Sequence, residues 1–312
     1  MLPPQLPGKH PPLSKPPTKV RTELTRRPSI LVAAWNKFGS QSSAIPPRSA
    51  SGLGLFSRYD ANIIGGATLG AGLALSAACP GVTFAQAGLG LRSAQYALQG
   101  ALAGGVVYSG ILAPIITRRR KALALDTTPT TVNECLGVSP ALALAGMEAV
   151  YGAVIAAALF YGPRSPFHPL VAPAVGGLLL GGAQFLSLIL RGSLIGVSSV
   201  FEDLGKYATW LVSGADTKAV PKSYTSLLFA AAMMLGARGL SLVYPGVVPA
   251  EDPRVTAVNA VAGGFLFAVG SRIAGGCTSG HGISGISLLS VSSFLTIAAT
   301  FAGGAAAALW AY

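Results

Sequence analysis

The chain has 312 residues, of which 51% are hydrophobic and only 10% are charged, and its formal net charge is +12. Soluble domains contain about 25% charged residues, so this composition argues against a cytosolic enzyme. Three cysteines in the whole chain exclude a disulfide-rich scaffold. The class that remains is a polytopic helical membrane protein.

Residues 1–58 form a basic, proline-rich tail. They contain nine Lys or Arg and a single acidic residue, Glu23, and so account for +8 of the net charge. Repeated Pro-Pro pairs prevent a continuous helix, and we expect this tail to be disordered. Its basic residues lie among prolines, a pattern that does not indicate nucleic-acid binding. The same prolines argue against an amphipathic mitochondrial leader, so we expect the plasma membrane rather than a mitochondrial one.

Seven apolar stretches of about 18–23 residues follow the tail, and each is long enough to cross a bilayer. They are Ala61–Ala78, Ala94–Ile116, Ala141–Tyr161, Leu170–Leu190, Tyr224–Tyr244, Val255–Ala274 and Ser290–Ala311. If the basic tail is cytoplasmic, the cluster Arg118–Lys121 also lies inside, and the loop with Glu251 and Asp252 lies outside. These stretches predict an all-α, multi-pass membrane bundle in contact with the lipid bilayer.

Two of the stretches repeat one pattern and align without gaps. Gly65–Gly81 and Gly263–Ser279 each contain a Gly-Gly pair, a further glycine and then a cysteine, Cys79 or Cys277, at the same spacing. Five crossings separate the two cysteines, and because five is odd, they approach from opposite faces. This is the arrangement of inverted-topology repeats, whose substrate site lies near the midplane. Polar, glycine-rich backbone at that depth must be buried or line a cavity, so we expect two re-entrant loops. The alternative is a pair of ordinary turns with buried cysteines.

Several motifs resemble those of one known family. The segment Gly275–Gly285 (GGCTSGHGISG) resembles the signature of the sulphur-transport (YeeE/YedE) family, and Ala78–Gly81 resembles the matching cysteine motif of the other half. Gly176–Gly181 and Arg191–Ser198 resemble the segment that opens each half. The resemblance implies a helical inverted-repeat importer of thiosulfate or a related small sulphur anion. It also implies that cysteine thiols hand the anion along by hydrogen bonding, with no cofactor.

The resemblance assigns this role to Cys79 and Cys277, and the residues around them complete the candidate substrate path. The candidate residues are Cys79, Pro80, Gly81, Gly276, Cys277, Thr278, Ser279, Gly280 and His281. Thiols, hydroxyls and backbone N–H groups provide weak, serial donors for an oxyanion. Arg272 is a candidate for attracting the anion, and its alternative is a snorkelling residue near a helix end. Cys135 matches no motif and has no assigned role.

The chain departs from the family pattern in its first half. The sequence predicts a tail at 1–58, a first repeat at 59–165 and a second repeat at 166–312. The second repeat opens with residues 170–199, whereas the first has only the proline-rich tail in that place. We therefore expect the first repeat to lack the family's opening hairpin. The alternative function is a non-transporting or truncated integral membrane protein.

The sequence does not predict an enzyme, but one motif is also found in a class of proteases. Gly282–Gly285 fits the Gly-x-Ser-Gly pattern of intramembrane serine proteases, which need a later histidine as base. No histidine follows Ser284 in this chain. A metal site formed by Cys277 and His281 lacks further evident ligands, so none is predicted.

Overall fold

The computed structural model describes residues 45–161, 173–212, 214 and 224–311, and this part of the chain is helical. The helices in chain order are α1 (Asp60–Ser76), α2 (Pro80–Gly88), α3 (Arg92–Val107), α4 (Ala113–Ala122), α5 (Val132–Leu136), α6 (Pro140–Tyr161), α7 (Pro173–Arg191), α8 (Ser199–Val212), α9 (Thr225–Val243), α10 (Ala257–Ala274) and α11 (Val291–Ala311). A π-helical turn, Tyr108–Leu112, joins α3 to α4, and a second one, Ser279–Gly285, precedes α11.

An antiparallel pair of helices, α1 and α10, lies at the centre of the bundle. A Cβ atom on Gly65 would lie 3.0 Å from Ala274 Cα, and one on Gly72 would lie 2.6 Å from the Gly263 oxygen, so the two helices run in opposite directions. Helix α11 packs against α1, and α3 packs against α10. When the two copies of the repeat are aligned, α1 corresponds to α10 and α3 to α11. These contacts are therefore equivalent in the two copies, as an inverted repeat requires, and the predicted all-α membrane bundle is confirmed.

The Gly-Gly pairs of the repeat are explained by close helix packing. A Cβ atom on Gly263 would lie 2.7 Å from Ser76 N in α1, and one on Gly264 would lie 2.7 Å from the Ala97 carbonyl carbon in α3. The pair Gly65-Gly66 meets α10 and α11 in the same way. One glycine of each pair faces the antiparallel partner and the other faces the flanking helix. Small residues allow such close approach of helix backbones in membranes.

Six segments of the described chain are long and apolar enough to span a membrane, against the seven predicted. They are Asp60–Gly88, Arg92–Ala122, Pro140–Ala157, Thr225–Val243, Ala257–Ala274 and Val291–Ala311. The seventh predicted span, Leu170–Leu190, overlaps α7, whose described apolar stretch is Val175–Leu190, and residues 170–172 lie outside the described residues. None of the hydrophobic window in α6 is buried within the protein, so this helix is suited to contact lipid.

Contacts between loops define two ends of the bundle. At the basic end, Arg120 Nε of the cluster Arg118–Lys121 donates to the Gly52 carbonyl at 2.9 Å. At the far end, the Arg92 backbone N–H donates to the Glu251 carboxylate. The pattern agrees with the predicted grouping, in which the end of the tail and this cluster share one side and the Glu251 loop lies on the other.

Residues 45–58 pack against the bundle, which differs from the expectation of a disordered tail up to residue 58. Ala50 and Ser51 are buried, and the Ser51 N–H donates to Asn62 Oδ1 at 2.8 Å. The buried Asp60 carboxylate accepts backbone N–H groups from Leu53 and Leu55. These hydrogen bonds provide acceptors for backbone N–H groups of the segment and donors for the Asp60 carboxylate. They therefore stabilise a segment that has no regular secondary structure. Residues 1–44 of the predicted tail, and the boundary predicted between residues 165 and 166, lie outside the described residues.

Candidate functional site

The two cysteine loops begin at equivalent breaks in the central helices. Helix α1 ends at Ala77 with φ +48°, and α10 ends at Gly275 with φ +87°, at the matching position of the second repeat. Left-handed residues at these positions turn the chain out of the helix. Cys79 then caps the N-terminus of α2, and Cys277 leads into the π-helical turn.

The loops meet, although they start from opposite ends of the α1–α10 pair. A Cβ atom on Gly81 would lie 3.8 Å from Cys79 Sγ and 3.7 Å from Ser279 Oγ. Ser279 Oγ in turn lies 3.0 Å from Cys277 Sγ. Gly81 and Ser279 therefore adjoin each other between the two cysteines, so the two loops come together.

Cys277 is fully buried among hydrogen-bonding groups. Besides Ser279, its sulfur interacts with the backbone of Gly280 and with the side chain of Ser198 and the backbone of Val197. The last two belong to the segment between α7 and α8. A sulfur in this setting can exchange hydrogen bonds with several neighbours, which is the property that a donor to a passing anion requires.

Cys79 is more accessible than Cys277. It is half-buried, and its carbonyl accepts hydrogen bonds from the N–H of Val82 and from both the N–H and the hydroxyl of Thr83. Pro80 and Gly81 form the first turn of α2. A Cβ atom on Gly81 would make ordinary van der Waals contact with Ser279 of the other repeat, so the two repeats adjoin at this turn. The side chain of Cys79 is left at the junction of the two repeats.

His281 connects the loop to its surroundings. Its Nε2 lies 3.3 Å from the Ala274 carbonyl, which can only accept, so this nitrogen carries the proton. Its Nδ1 then accepts from Ser293 Oγ at 2.9 Å. The ring is almost completely buried and its donor is already used, so its contacts hold the loop in place. Thr278, also in the predicted path, is half-buried beside Cys277.

Arg272 is engaged in contacts between helices. Its guanidinium forms an ion pair with Glu202 of α8 and lies 5.9 Å from the centre of the Tyr108 ring. Lys206 adds a second ion pair to Glu202 at 2.6 Å. The carboxylate offsets much of the Arg272 charge, which leaves less of it to attract an anion. The structure thus gives Arg272 a role between α10 and α8 that the sequence did not indicate.

Ser284, the serine of the protease alternative, is buried in a hydrogen-bonded group. Its hydroxyl donates to the Ile195 carbonyl at 2.7 Å and accepts from Gln184 Nε2 at 3.2 Å. The Gln184 Oε1 atom accepts the Ile195 N–H at 3.0 Å. This cyclic group ties the Cys277 loop to the end of α7. His281 is directed to Ser293 and Ala274, so it does not act as a base for Ser284.

Sequence reasoning missed two contributors to this site, Gln184 and Arg48. Gln184 lies in an apolar helix, where a single polar residue among leucines was the available signal. Arg48 lies in the proline-rich segment, and nothing in its neighbourhood distinguishes it from the other basic residues there. Its backbone N–H donates to Ser290 Oγ at 2.9 Å, which brings it to the Cys277 loop.

Comparison with known proteins identifies the family of the chain. A protein family described as sulphur transport matches residues 29–306. The chain belongs to this sulphur-transport family. The match begins within the segment predicted to be a disordered tail and covers both repeats.

Individual relatives have consistent names. A "probable transporter" of Xylella fastidiosa (strain 9a5c) is 30% identical over 136 residues, which cover 44% of this chain and 90% of the relative. The "Thiosulfate transporter TsuA" of Spirochaeta thermophila is 27% identical over 259 residues, which cover 75% of this chain and 72% of that protein. Together with the six apolar segments, these matches make this family member an integral, multi-pass membrane protein of a transporter family.

Proposed function

We propose that the chain transports thiosulfate or a related sulphur-containing anion along a route that passes Cys79 and Cys277. The observation that carries this proposal is the meeting of the two cysteine loops, which start from opposite ends of the bundle and come together where Gly81 faces Ser279. Membership of the sulphur-transport family and the name of the Spirochaeta relative support the substrate class.

The chemistry of the route is serial hydrogen bonding. A thiol donates weakly, so an anion held by one thiol and one hydroxyl is released more easily than one held by a fixed cation. The half-buried Cys79 offers the first contact on one side, and Cys277 with Ser279 offers the next. The proposal needs no covalent step and no cofactor. It includes the plasma membrane as the location, and fractionation of cells expressing the tagged chain checks that part.

Uptake of radiolabelled thiosulfate into a transport-deficient host tests the route. Cys277→Ala removes one buried donor and should reduce uptake about 5- to 150-fold, which corresponds to roughly 1–3 kcal/mol. Cys277→Ser should retain part of the activity because a hydroxyl also donates. Cys79→Ala should reduce uptake as well.

Cys135→Ala is the matched control, since Cys135 is exposed on the short helix α5 and belongs to neither cysteine motif. All variants are compared at equal amounts in the membrane. Wild-type uptake by Cys277→Ala would remove the thiol from the mechanism, and absence of uptake by the parent chain would favour the non-transporting alternative.

A further inference from the structure

A cavity of about 700 Å³, lined by both polar and apolar groups, lies beside the Cys277 loop, between that loop and residues 45–51. The residues that matter for its chemistry are Arg48, Ser51, Ser193, Gly275, His281 and Ser284. The cavity lies toward the basic end, because the adjoining Gly52 carbonyl is bonded there by Arg120. It is distinct from the junction where Gly81 meets Ser279.

The structure holds Arg48 in a defined position in this cavity. Its backbone N–H donates to Ser290 Oγ at 2.9 Å, and its carbonyl accepts from Ser292 Oγ at 3.1 Å. Its side chain donates through Nη1 to the Gly275 carbonyl at 3.2 Å. Backbone and guanidinium are thus both attached to the segment that carries Cys277.

Glycines of the signature motif make room for the guanidinium. A Cβ atom on Gly276 would lie 3.2 Å from Arg48 Nη1, and one on Gly280 would lie 3.1 Å from Arg48 Nη2. A Cβ atom on Gly285 would lie 3.2 Å from Arg48 Cδ. The Arg48 guanidinium therefore lies against the backbone of three glycines. Its N–H groups that are not already hydrogen-bonded remain available to a ligand.

The charge of Arg48 is not balanced by a carboxylate within the described chain. The ion pairs found there involve Arg58, Lys206, Arg254 and Arg272, and not Arg48. Its Nε is buried and has no hydrogen-bond partner among the described residues. A buried donor without a partner is costly, and an anion beside the guanidinium would complete its surroundings.

We propose that Arg48 binds the oxyanion group of the transported sulphur anion in this cavity, next to the Cys277 loop. The guanidinium fork matches two oxygens of such a group, and Ser51 and Ser193 add hydroxyls to the lining. This inference rests on the proposed function and adds a cationic binding residue to a route otherwise formed by thiols and hydroxyls. It also gives residues 45–51 a part in substrate binding.

Equilibrium binding to the purified full-length chain tests the assignment. Titration calorimetry in detergent uses thiosulfate as the first probe and inorganic sulfate as the second, because both carry the oxyanion face that the guanidinium would recognise. Arg48→Gln should weaken binding of thiosulfate about 10-fold or more, and Arg48→Lys should weaken it less because the charge remains. Arg58→Gln is the matched control, since Arg58 lies in the same segment but pairs with Asp126.

The salt dependence of binding separates a charge contact from a fold defect. Wild-type affinity should fall as ionic strength rises, and the Arg48→Gln affinity should change much less. Unchanged thermal unfolding of each variant without anion shows that its fold is intact. If Arg48→Gln is unstable, Arg48→Lys decides the assignment. This variant should bind thiosulfate more weakly than the wild type while it keeps normal stability.

The outcomes distinguish this inference from the proposed function. Wild-type binding and salt dependence in Arg48→Gln, or transport by a parent chain that binds neither anion, would overturn the assignment and leave the cysteine route standing. Binding that depends on Arg48 in a chain without uptake would support the assignment and contradict the transport proposal.

Discussion

At the scale of single residues, buried polar side chains connect segments that are far apart in the chain. Asn62 accepts the Ser51 N–H through Oδ1, and its Nδ2 donates to the Ala274 carbonyl at 3.0 Å and to Thr296 Oγ1 at 2.9 Å. One fully buried amide thus joins the N-terminal segment, the end of α10 and helix α11. In a membrane interior such groups have few alternative partners.

Asn62→Ala should destabilise the protein by about 1–3 kcal/mol, because it leaves the Ser51 N–H without an acceptor, whereas the Ala274 carbonyl and the Thr296 hydroxyl each keep another partner. Thermal unfolding of the purified chain in detergent measures the loss. Asn133→Ala, on the short helix α5, is the control and should change the midpoint little. Equal midpoints for both variants would show that the Asn62 bonds contribute nothing.

These residues also show where prediction from sequence reached its limit. The Gly-Gly pairs and cysteines were informative because their spacing repeats, and repetition is visible without a structure. The polar residues of the site act through partners that are distant in the chain. The pairs are Asn62 with Thr296, Gln184 with Ser284 and Arg48 with Ser290. No local pattern specifies such a partner, and Arg48 lies in a segment whose prolines indicated disorder.

At the scale of elements, the repeated glycines specify how the helices pack. Helices α1 and α10 each have one glycine against the other and one against a flanking helix, so the Gly-Gly pair specifies two interfaces at once. Helix α6 provides the contrast, because no neighbouring atom of the described residues lies within 4 Å of a Cβ built on Gly146 or Gly152.

Gly264→Ala should destabilise the protein by about 1–3 kcal/mol, since the added methyl group would overlap the Ala97 backbone in α3. Gly152→Ala in α6 adds the same methyl group in open space and should be neutral or stabilising by up to about 1 kcal/mol. Unfolding midpoints of the two variants in the same detergent compare the sites directly. A Gly264→Ala variant as stable as Gly152→Ala would contradict the close α3–α10 contact.

At the scale of the whole molecule, the two ends of the bundle differ in charge and in what they carry. The basic end brings the cluster Arg118–Lys121 together with residue 52, and the far end pairs Arg92 with Glu251. The exposed Cys135 belongs to the basic end, because the Val132 N–H beside it donates to the Leu289 carbonyl of the Cys277 loop region. Cys135 is therefore a natural probe of orientation.

A membrane-impermeant maleimide should label Cys135 in inverted membrane vesicles but not in right-side-out ones, because the basic end is expected in the cytoplasm. Asp252→Cys in a Cys135→Ser background should show the reverse pattern. Cys135→Ser alone provides the background from the two less accessible cysteines. Labelling of both sites from one side would contradict the opposite placement of the two ends.

The interleaving of the repeats has a consequence for how such a protein can be divided. Helix α1 of one half is covered by α11 of the other, and α10 is covered by α3, so neither half encloses a complete core alone. A polypeptide with a single copy of this pattern would have to insert into the bilayer in both orientations and pair head to tail with itself. Fusing two copies in one gene removes that requirement, since each half then has a fixed orientation. Once the orientations are fixed, the sequences of the two loops can diverge. In this chain Cys79 is half-buried, whereas Cys277 is buried.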